Sequence, residues 1–166
     1  MRWMDHLTIG WRGLLPVLGL VILLGCAPEA KMEELETGPP PHQAISAASA
    51  PAAIGPYSQG VQVGNTLYCA GQIGMDPASG ALVEGGIEAQ TKQALDNLGA
   101  VLSEAGMNYD NVVRSTVFLD NIDDFQAMNG IYKEYFKSDH PPARSTVQVA
   151  KIPRGALVEI DFIAVK

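Results

Sequence analysis

PPARSTVQVAKIPRGALVEIDFIAVK, residues 141–166, is the stretch that decides the fold. Apolar and polar residues alternate on both sides of the connection at 151–155, which is the pattern of β-strands with one buried face. The alternation places Arg144 and Thr146 on one face of the first strand and Glu159 on the polar face of the second. We predict that the two strands pair antiparallel, with Thr146 opposite Glu159 and Arg144 diagonal to it.

An arginine and a carboxylate that face one space allow two interpretations. A planar guanidinium can bind a substrate carboxylate through two hydrogen bonds, while the glutamate acts on water. The same pair can instead be a cross-strand salt bridge on a solvated surface, which typically contributes under about 1 kcal/mol to stability. The pattern alone leaves both interpretations open.

The rest of the domain predicts strands and helices in the order β-β-α-β-α-β-β. Gly64-Asn65 separates two strand-like runs as a two-residue hairpin loop would. Apolar residues at helical spacing predict one helix over 86–105, and a second helix begins after Asn121, beyond a β-branched strand at 112–119. This order predicts an α+β fold of two layers, a mixed β-sheet with both helices on one face. The other face stays uncovered in one chain, which favours self-association.

The N-terminal part of the chain differs in composition from the rest. Residues 1–25 carry arginines and an apolar run that is shorter than the ~20 residues of a membrane span but typical of a signal peptide. The run ends in Leu-Leu-Gly-Cys, which resembles a bacterial lipobox and implies lipidation of Cys26. Residues 26–49, rich in Pro, Ala and Glu, predict a disordered tether. We therefore expect a domain at 50–166 outside the cytoplasm, lipid-anchored in the cell envelope and, in a Gram-negative host, on the periplasmic side of the outer membrane.

The charge and the metal-ligating residue types argue against two kinds of partner. The formal net charge is −7, whereas nucleic-acid binding needs a basic face, so we expect no nucleic acid. His42 and His140 are isolated, and Cys69 lies in the strand-like run LYCAGQ, where we expect a small buried residue. We expect no metal and no cofactor.

Three separate blocks carry a family resemblance. They are PAAIGPYSQGV at 51–61, CAGQIGMDPASG at 69–80 and the C-terminal stretch. In this order they resemble the signatures of the Rid (YjgF-type) reactive-intermediate deaminases, from about residue 50 to the end. The resemblance implies a chorismate-mutase-like homotrimer with sites in clefts between subunits. It also implies hydrolysis of small 2-imino or 2-enamino acids, such as 2-aminoacrylate and 2-iminopropionate, to 2-keto acids and ammonia.

The resemblance further implies roles for individual residues. Arg144 in the PARS-like motif would bind the substrate carboxylate, and Glu159 in the VEI motif would position or activate the attacking water. Tyr57 of GPYSQ would be a catalytic residue near them, although a packed aromatic at a strand start is the alternative. For Asn129 the alternative is an ordinary polar residue on a helix surface. The residues expected to contact substrate are Arg144, Gly71, Asn129 and Thr146.

Two departures from many bacterial members bear on the activity. Ala70 stands where they have serine, which removes a hydroxyl near the expected substrate, and Thr146 stands where they have cysteine. A second function therefore stays open, namely a non-catalytic carboxylate-binding or chaperone-like envelope lipoprotein of the same fold. Ribonuclease activity is disfavoured by the acidic charge and by the lack of a His-based acid/base pair.

Overall fold

The computed structural model describes residues 40–166, so the predicted signal peptide, Cys26 and most of the tether lie outside the described residues. In chain order the elements are β1 His42–Ile45, β2 Gly60–Val63, β3 Thr66–Ile73, α1 Gly86–Glu104, β4 Val112–Leu119, α2 Phe125–Tyr135, β5 Ala143–Gln148 and β6 Val158–Val165. The six strands form one sheet in the order β1-β2-β3-β6-β4-β5. β4 and β5 are parallel, and the other neighbouring strands are antiparallel.

The core lies between the two helices and one face of the sheet, as the α+β prediction requires. Each fully buried aliphatic side chain there contributes about 1.5–3 kcal/mol relative to an exposed one. Helix α1 stops where Gly106 adopts φ +68°, the left-handed conformation that favours glycine after a helix. The principal core residues are Ala94, Leu95, Leu98, Val101 and Leu102 of α1, Met128 and Tyr132 of α2, and Leu67, Val117, Ile160 and Phe162 of the strands.

Cys69 belongs to this core. It is 8% exposed in β3, and burial together with the charge of Asp161 raises the pKa of its thiol to about 12. The prediction of a small buried residue is confirmed, because Cys69 packs in the core.

The predicted pairing of the last two strands is wrong, because β4 lies between β5 and β6. Ser115 of β4 is level with Arg144 on one side and with Phe162 on the other. The connection at 149–157 crosses the end of β4, where its two ends hydrogen-bond to Leu119, the last residue of that strand, and to Asp120, which follows it. Alternation along a strand fixes its faces but not its neighbours, and this connection is long enough to pass one strand and reach a position about 10 Å away.

The ordered domain begins earlier than the sequence predicts. The segment His42–Ile45 falls in the predicted tether, yet it forms β1 and pairs antiparallel with β2 at the edge of the sheet. Ile45, Ala47 and Ala50 are buried in the core. Because β1 is short and exposes three of its four residues, its sequence has too little apolar alternation to indicate a strand.

The second face of the sheet carries both apolar and acidic side chains. Glu159, Asp161 and Ile163 alternate with the buried residues of β6 and so point away from the helices. Tyr68 of β3 is 50% exposed and Val147 of β5 is 44% exposed. Within residues 40–166, neither helix has the length and hydropathy to cross a membrane.

Candidate active site

Glu159 lines a cavity of about 330 Å³ on the face of the sheet opposite the helices. The cavity brings Glu159 together with Tyr57 and Gly71, which lie far away in sequence. We call these three residues and their surroundings the glutamate pocket. Most of its wall is apolar, and the residues that complete it are Pro51, Ala52, Ile54, Ala70, Gln72, Ile73, Met75 and Pro153.

A β-bulge places Gly71 directly against Glu159. Two residues of β3, Ala70 and Gly71, lie opposite the single residue Asp161 of β6. A Cβ atom at Gly71 would lie 2.8 Å from Cδ and 2.9 Å from Cγ of Glu159, closer than such atoms can approach. The carboxyl therefore occupies the space that a side chain at position 71 would fill, and Gly71 is the residue that makes room for it.

The environment of Glu159 favours its protonated form. Partial burial is the main cause that raises the pKa of this carboxyl, and the charge of Asp161 on the same face of β6 raises it further. A carboxyl that holds its proton more firmly is also a stronger base once ionised, which suits proton transfer nearer neutral pH. Raised carboxyl pKa values in a cleft are typical of functional sites.

Tyr57 lies in the wall of the same pocket and is 49% exposed. The backbone N–H of Ile54 donates a hydrogen bond of 3.4 Å to its hydroxyl. In a single chain about half of this side chain faces solvent, so it is not fully packed there. Its hydroxyl is thus in a position to meet a molecule in the pocket.

Gln59 fixes the wall of the glutamate pocket, and the sequence did not point to it. Its buried amide makes four hydrogen bonds to the backbone of Ala47, Ala50 and Pro51. Those bonds satisfy the peptide groups of a chain segment that has no strand partner there. The only signal was that Gln59 lies in the GPYSQ block beside Tyr57.

Arg144 lies on the other face of the sheet, against α2. Its Nη2 donates a hydrogen bond of 2.7 Å to Oδ1 of Asn129, and its guanidinium carbon lies 4.4 Å from the ring centroid of Tyr132. Asn129 is therefore not an ordinary surface residue of the helix. These side chains line a second cavity of about 470 Å³, which we call the arginine pocket; the full set is Asn129, Tyr132, Lys133, Phe136, Pro141, Pro142 and Arg144.

Of the two departures, Ala70 lines the glutamate pocket, whereas Thr146 is not among the residues that line either cavity. Thr146 follows Arg144 by two residues on the same face of β5, and its hydroxyl is buried without a hydrogen-bond partner among the described residues. Ala70 lines the glutamate pocket beside Gly71. The methyl group of Ala70 extends the apolar wall at the point where a serine would offer a hydroxyl.

One chain does not bring Arg144 and Glu159 together. The two residues lie on opposite faces of the sheet, and β4 separates their strands. Arg144 is level with Ser115 of β4 and Glu159 with Phe118, so they are also three residues apart along the strand direction. These offsets put their backbones about 14 Å apart, from a strand spacing of about 4.8 Å and a rise of about 3.3 Å per residue. The predicted shared space is wrong for a single chain, and a salt bridge between the two within that chain is excluded.

Metal-ligating side chains are not grouped in the part of the chain that the structure describes. Between residues 40 and 166, no three His, Cys, Asp or Glu side chains come close enough to hold one ion. The polar side chains that line the two pockets carry a carboxyl, a guanidinium, an ammonium, two amides and two phenol hydroxyls.

Sequence comparison with known proteins shows which family this chain belongs to. The profile of the Endoribonuclease L-PSP family matches residues 47–166, which include both pockets. The chain belongs to this family, the L-PSP (Rid) family. Over 122 residues this Rid protein is 57% identical to the 2-iminobutanoate/2-iminopropanoate deaminase of Capra hircus, with 74% of this chain and 88% of that protein covered.

Solved structures agree with the assignment of this Rid protein. YyfA of Yersinia pestis, a member of the conserved Rid protein family, superposes with a TM-score of 0.74 at 48% identity, covering 76% of this chain and 100% of that one. TdcF of E. coli, solved with bound serine, gives a TM-score of 0.71 at 36% identity, covering 75% and 98%. The resemblance and the fold predicted from the sequence are thereby confirmed.

Proposed function

We propose that this Rid protein is a hydrolytic deaminase of reactive 2-imino and 2-enamino acids, such as 2-iminopropionate and its tautomer 2-aminoacrylate. The products are a 2-keto acid and ammonia. The observation that carries the proposal is a half-buried carboxyl of raised pKa, Glu159, seated over Gly71 in a mostly apolar pocket. The name of the Capra hircus relative, an imine deaminase at 57% identity, supports the same activity.

The chemistry requires one proton acceptor that later returns its proton. Ionised Glu159 takes a proton from water while the water oxygen bonds to the carbon of the protonated imine, and the C=N electron pair moves to nitrogen. The resulting carbinolamine collapses when Glu159 returns the proton to nitrogen. A lone pair of the hydroxyl oxygen then forms C=O, the C–N bond breaks, and ammonia leaves and takes up the hydroxyl proton. One water is consumed, and nothing is oxidised or reduced.

Arg144 binds the substrate carboxylate in this proposal, with Asn129 and Thr146 beside it. Because Arg144 and Glu159 of one chain are separated, the proposal includes a homotrimer in which the arginine pocket of one copy closes the glutamate pocket of the next. Tyr68 and Val147, about half exposed on the uncovered sheet face, support burial of that face between copies. Tyr57 and the backbone at Gly71 then contact the substrate from the glutamate side.

The test is hydrolysis of an imine that an amino-acid oxidase generates in the same vessel. The protein is expected to speed the appearance of keto acid and ammonia above the spontaneous rate, and Glu159→Gln is expected to abolish the gain while keto-acid binding persists. A rate equal to the spontaneous one with the parent protein contradicts the proposal.

The separation of the two pockets also favours a second candidate function. The arginine pocket alone holds a guanidinium and an amide next to an apolar wall, which is enough to bind a carboxylate without turning it over. A non-catalytic carboxylate-binding or chaperone-like envelope protein is therefore the alternative. Saturable binding of a keto acid, with no acceleration of imine hydrolysis, would favour it.

We also propose that the protein is a lipoprotein anchored at Cys26 in the cell envelope. The support is the lipobox-like sequence at 23–26 after a short apolar run. Cells that express the full chain and grow on labelled palmitate should yield a labelled membrane-bound protein. Cys26→Ser should remove the label and release the protein, and a label retained by that variant contradicts the anchor.

A further inference from the structure

We propose that Tyr132 is a positioning residue, which holds the Arg144 guanidinium in the orientation that receives a carboxylate. The inference rests on the role of Arg144 in the proposed function but concerns a residue that this function does not use. In this role the aromatic ring orients the guanidinium toward the ligand, and the tyrosine hydroxyl does not take part.

Three residues of α2 surround the guanidinium. Phe125, Asn129 and Tyr132 are spaced i, i+4 and i+7 along α2, so they form one stripe of the helix. The Arg144 guanidinium carbon lies 5.8 Å from the Phe125 ring centroid and 4.4 Å from that of Tyr132, and Nη2 bonds to Asn129 at 2.7 Å. The stripe contacts the side chain through two rings and one amide oxygen.

The Tyr132 ring is itself held in place, so it can act as a fixed platform. It stacks on Phe136, with centroids 4.5 Å apart and planes 26° apart. The side chain is 6% exposed and belongs to the core. A cation over the face of a buried ring is attracted by the negative face of the π-system, which restrains the guanidinium without a hydrogen bond.

This restraint leaves the hydrogen-bond donors of Arg144 free for a ligand. A guanidinium has five N–H donors, and a ring face accepts none of them in the way that a carboxylate would. The Asn129 carbonyl accepts one. The remaining N–H groups can meet a carboxylate in the arginine pocket, with the side chain already ordered before binding.

The hydroxyl of Tyr132 is not needed for this role. Burial raises the pKa of the hydroxyl, and the nearby Ser115 hydroxyl and Arg144 lower it in part, so all three groups are close. The hydroxyls of Tyr132 and Ser115 nevertheless make no hydrogen bond of acceptable geometry to any described residue. Removing the hydroxyl and keeping the ring should therefore leave the guanidinium where it is.

The experiment compares Tyr132→Phe with Tyr132→Leu in the full chain, measuring pyruvate affinity and the kinetics of imine hydrolysis. Loss of the ring is expected to raise Kd and KM about 2- to 12-fold, the effect of ordering one long side chain on binding, with little change in kcat. Tyr132→Phe should match the parent. Tyr135→Leu is the matched control, because Tyr135 is on the same helix and bonds to Asp96 rather than to Arg144.

A second background separates positioning from general damage to the core. In Arg144→Met no cation remains over the ring, so adding Tyr132→Leu should change the residual pyruvate affinity no further. An equal loss in both backgrounds, or an equal loss from Tyr135→Leu, overturns the inference. If Tyr132→Leu does not fold, Tyr132→Met removes the ring with a flexible side chain that fills the space.

A ligand-free measurement keeps this inference distinct from the proposed function. NMR of the Arg144 Nε–H group should show a ring-current shift in the parent and in Tyr132→Phe that disappears in the Leu or Met variant. If the parent hydrolyses no imine but shows this shift and the pyruvate dependence, the deaminase proposal fails and the positioning role stands. If the parent hydrolyses imine but shows no ring-current shift, or if the shift persists in the Leu or Met variant, the positioning role is refuted and the deaminase proposal stands.

Discussion

Gly71→Ala should disable Glu159 without unfolding the protein. The added methyl carbon would lie 2.8 Å from Cδ and 2.9 Å from Cγ of Glu159, so the carboxyl must move away. The backbone can accept alanine, since Gly71 is not among the glycines of positive φ. The clash falls on the end of a flexible side chain that can rotate, so the stability loss should stay within about 1 kcal/mol.

The loss of activity should be much larger than the loss of stability. A positioned general acid or base contributes about 10²- to 10⁴-fold to the rate, and Gly71→Ala should lose most of that factor, as Glu159→Gln should. The assay measures imine hydrolysis and the melting temperature on the same samples. Pyruvate affinity should change little, because the carboxylate is assigned to Arg144.

A double-mutant cycle shows whether the effect passes through Glu159. In the Glu159→Ala background no Cγ or Cδ remains to clash, so Gly71→Ala should change neither residual activity nor melting temperature. Gly130→Ala is the control for the substitution itself, since a Cβ there meets nothing within 4 Å. Full activity in Gly71→Ala would refute the assignment of Glu159, and an equal loss in both backgrounds would refute the mechanism of displacement.

Three further predictions concern charge. In a pH–rate profile, activity should fall at acid pH with an apparent pKa above the ordinary carboxyl value. Asp161→Asn should move this acid limb of the profile to lower pH, because Asp161 raises the pKa of Glu159. An acid limb that does not move would count against Glu159. A carboxyl of raised pKa stabilises the fold fully below its ordinary pKa and loses that contribution as pH rises through the raised value. Glu159→Gln should therefore melt at or above the parent temperature at pH 7, with the difference vanishing near pH 4; a lower melting temperature at pH 7 would contradict the desolvation. Arg144→Lys keeps the charge but loses the two-pronged geometry, so catalytic efficiency should drop about 30- to 150-fold, and an unchanged value in steady-state kinetics would exclude a bidentate contact.

Local patterns predicted the elements well, because each helix and long strand buries one face. Gly64-Asn65 joins β2 and β3 as a hairpin, and the apolar spacing over 86–105 corresponds to α1, which ends at Glu104. Strand neighbours depend on long-range packing, which alternation does not encode. The pairing of the last two strands was therefore wrong, although both strands exist.

The candidate site was predictable only in part for the same reason. The family motifs named Arg144, Glu159, Gly71, Tyr57 and Asn129, and the structure places them in two pockets. The β-bulge that places Glu159 over Gly71 arises from the pairing of β3 with β6. The alternation of apolar and polar residues along either strand does not indicate it. The contact of Tyr132 with Arg144 likewise depends on where α2 crosses β5, so the sequence shows Tyr132 only as part of a buried stripe.

The central claim is that each site takes Arg144 from one copy and Glu159 from another. The direct test is to co-express Arg144→Lys and Glu159→Gln chains with different tags, isolate the mixed assemblies and measure imine hydrolysis. Each mixed trimer should regain about one third of the parent activity, since one of its three subunit interfaces carries both native residues. Activity no higher than the average of the two single variants, in assemblies shown to contain both chains, would contradict a site shared between copies.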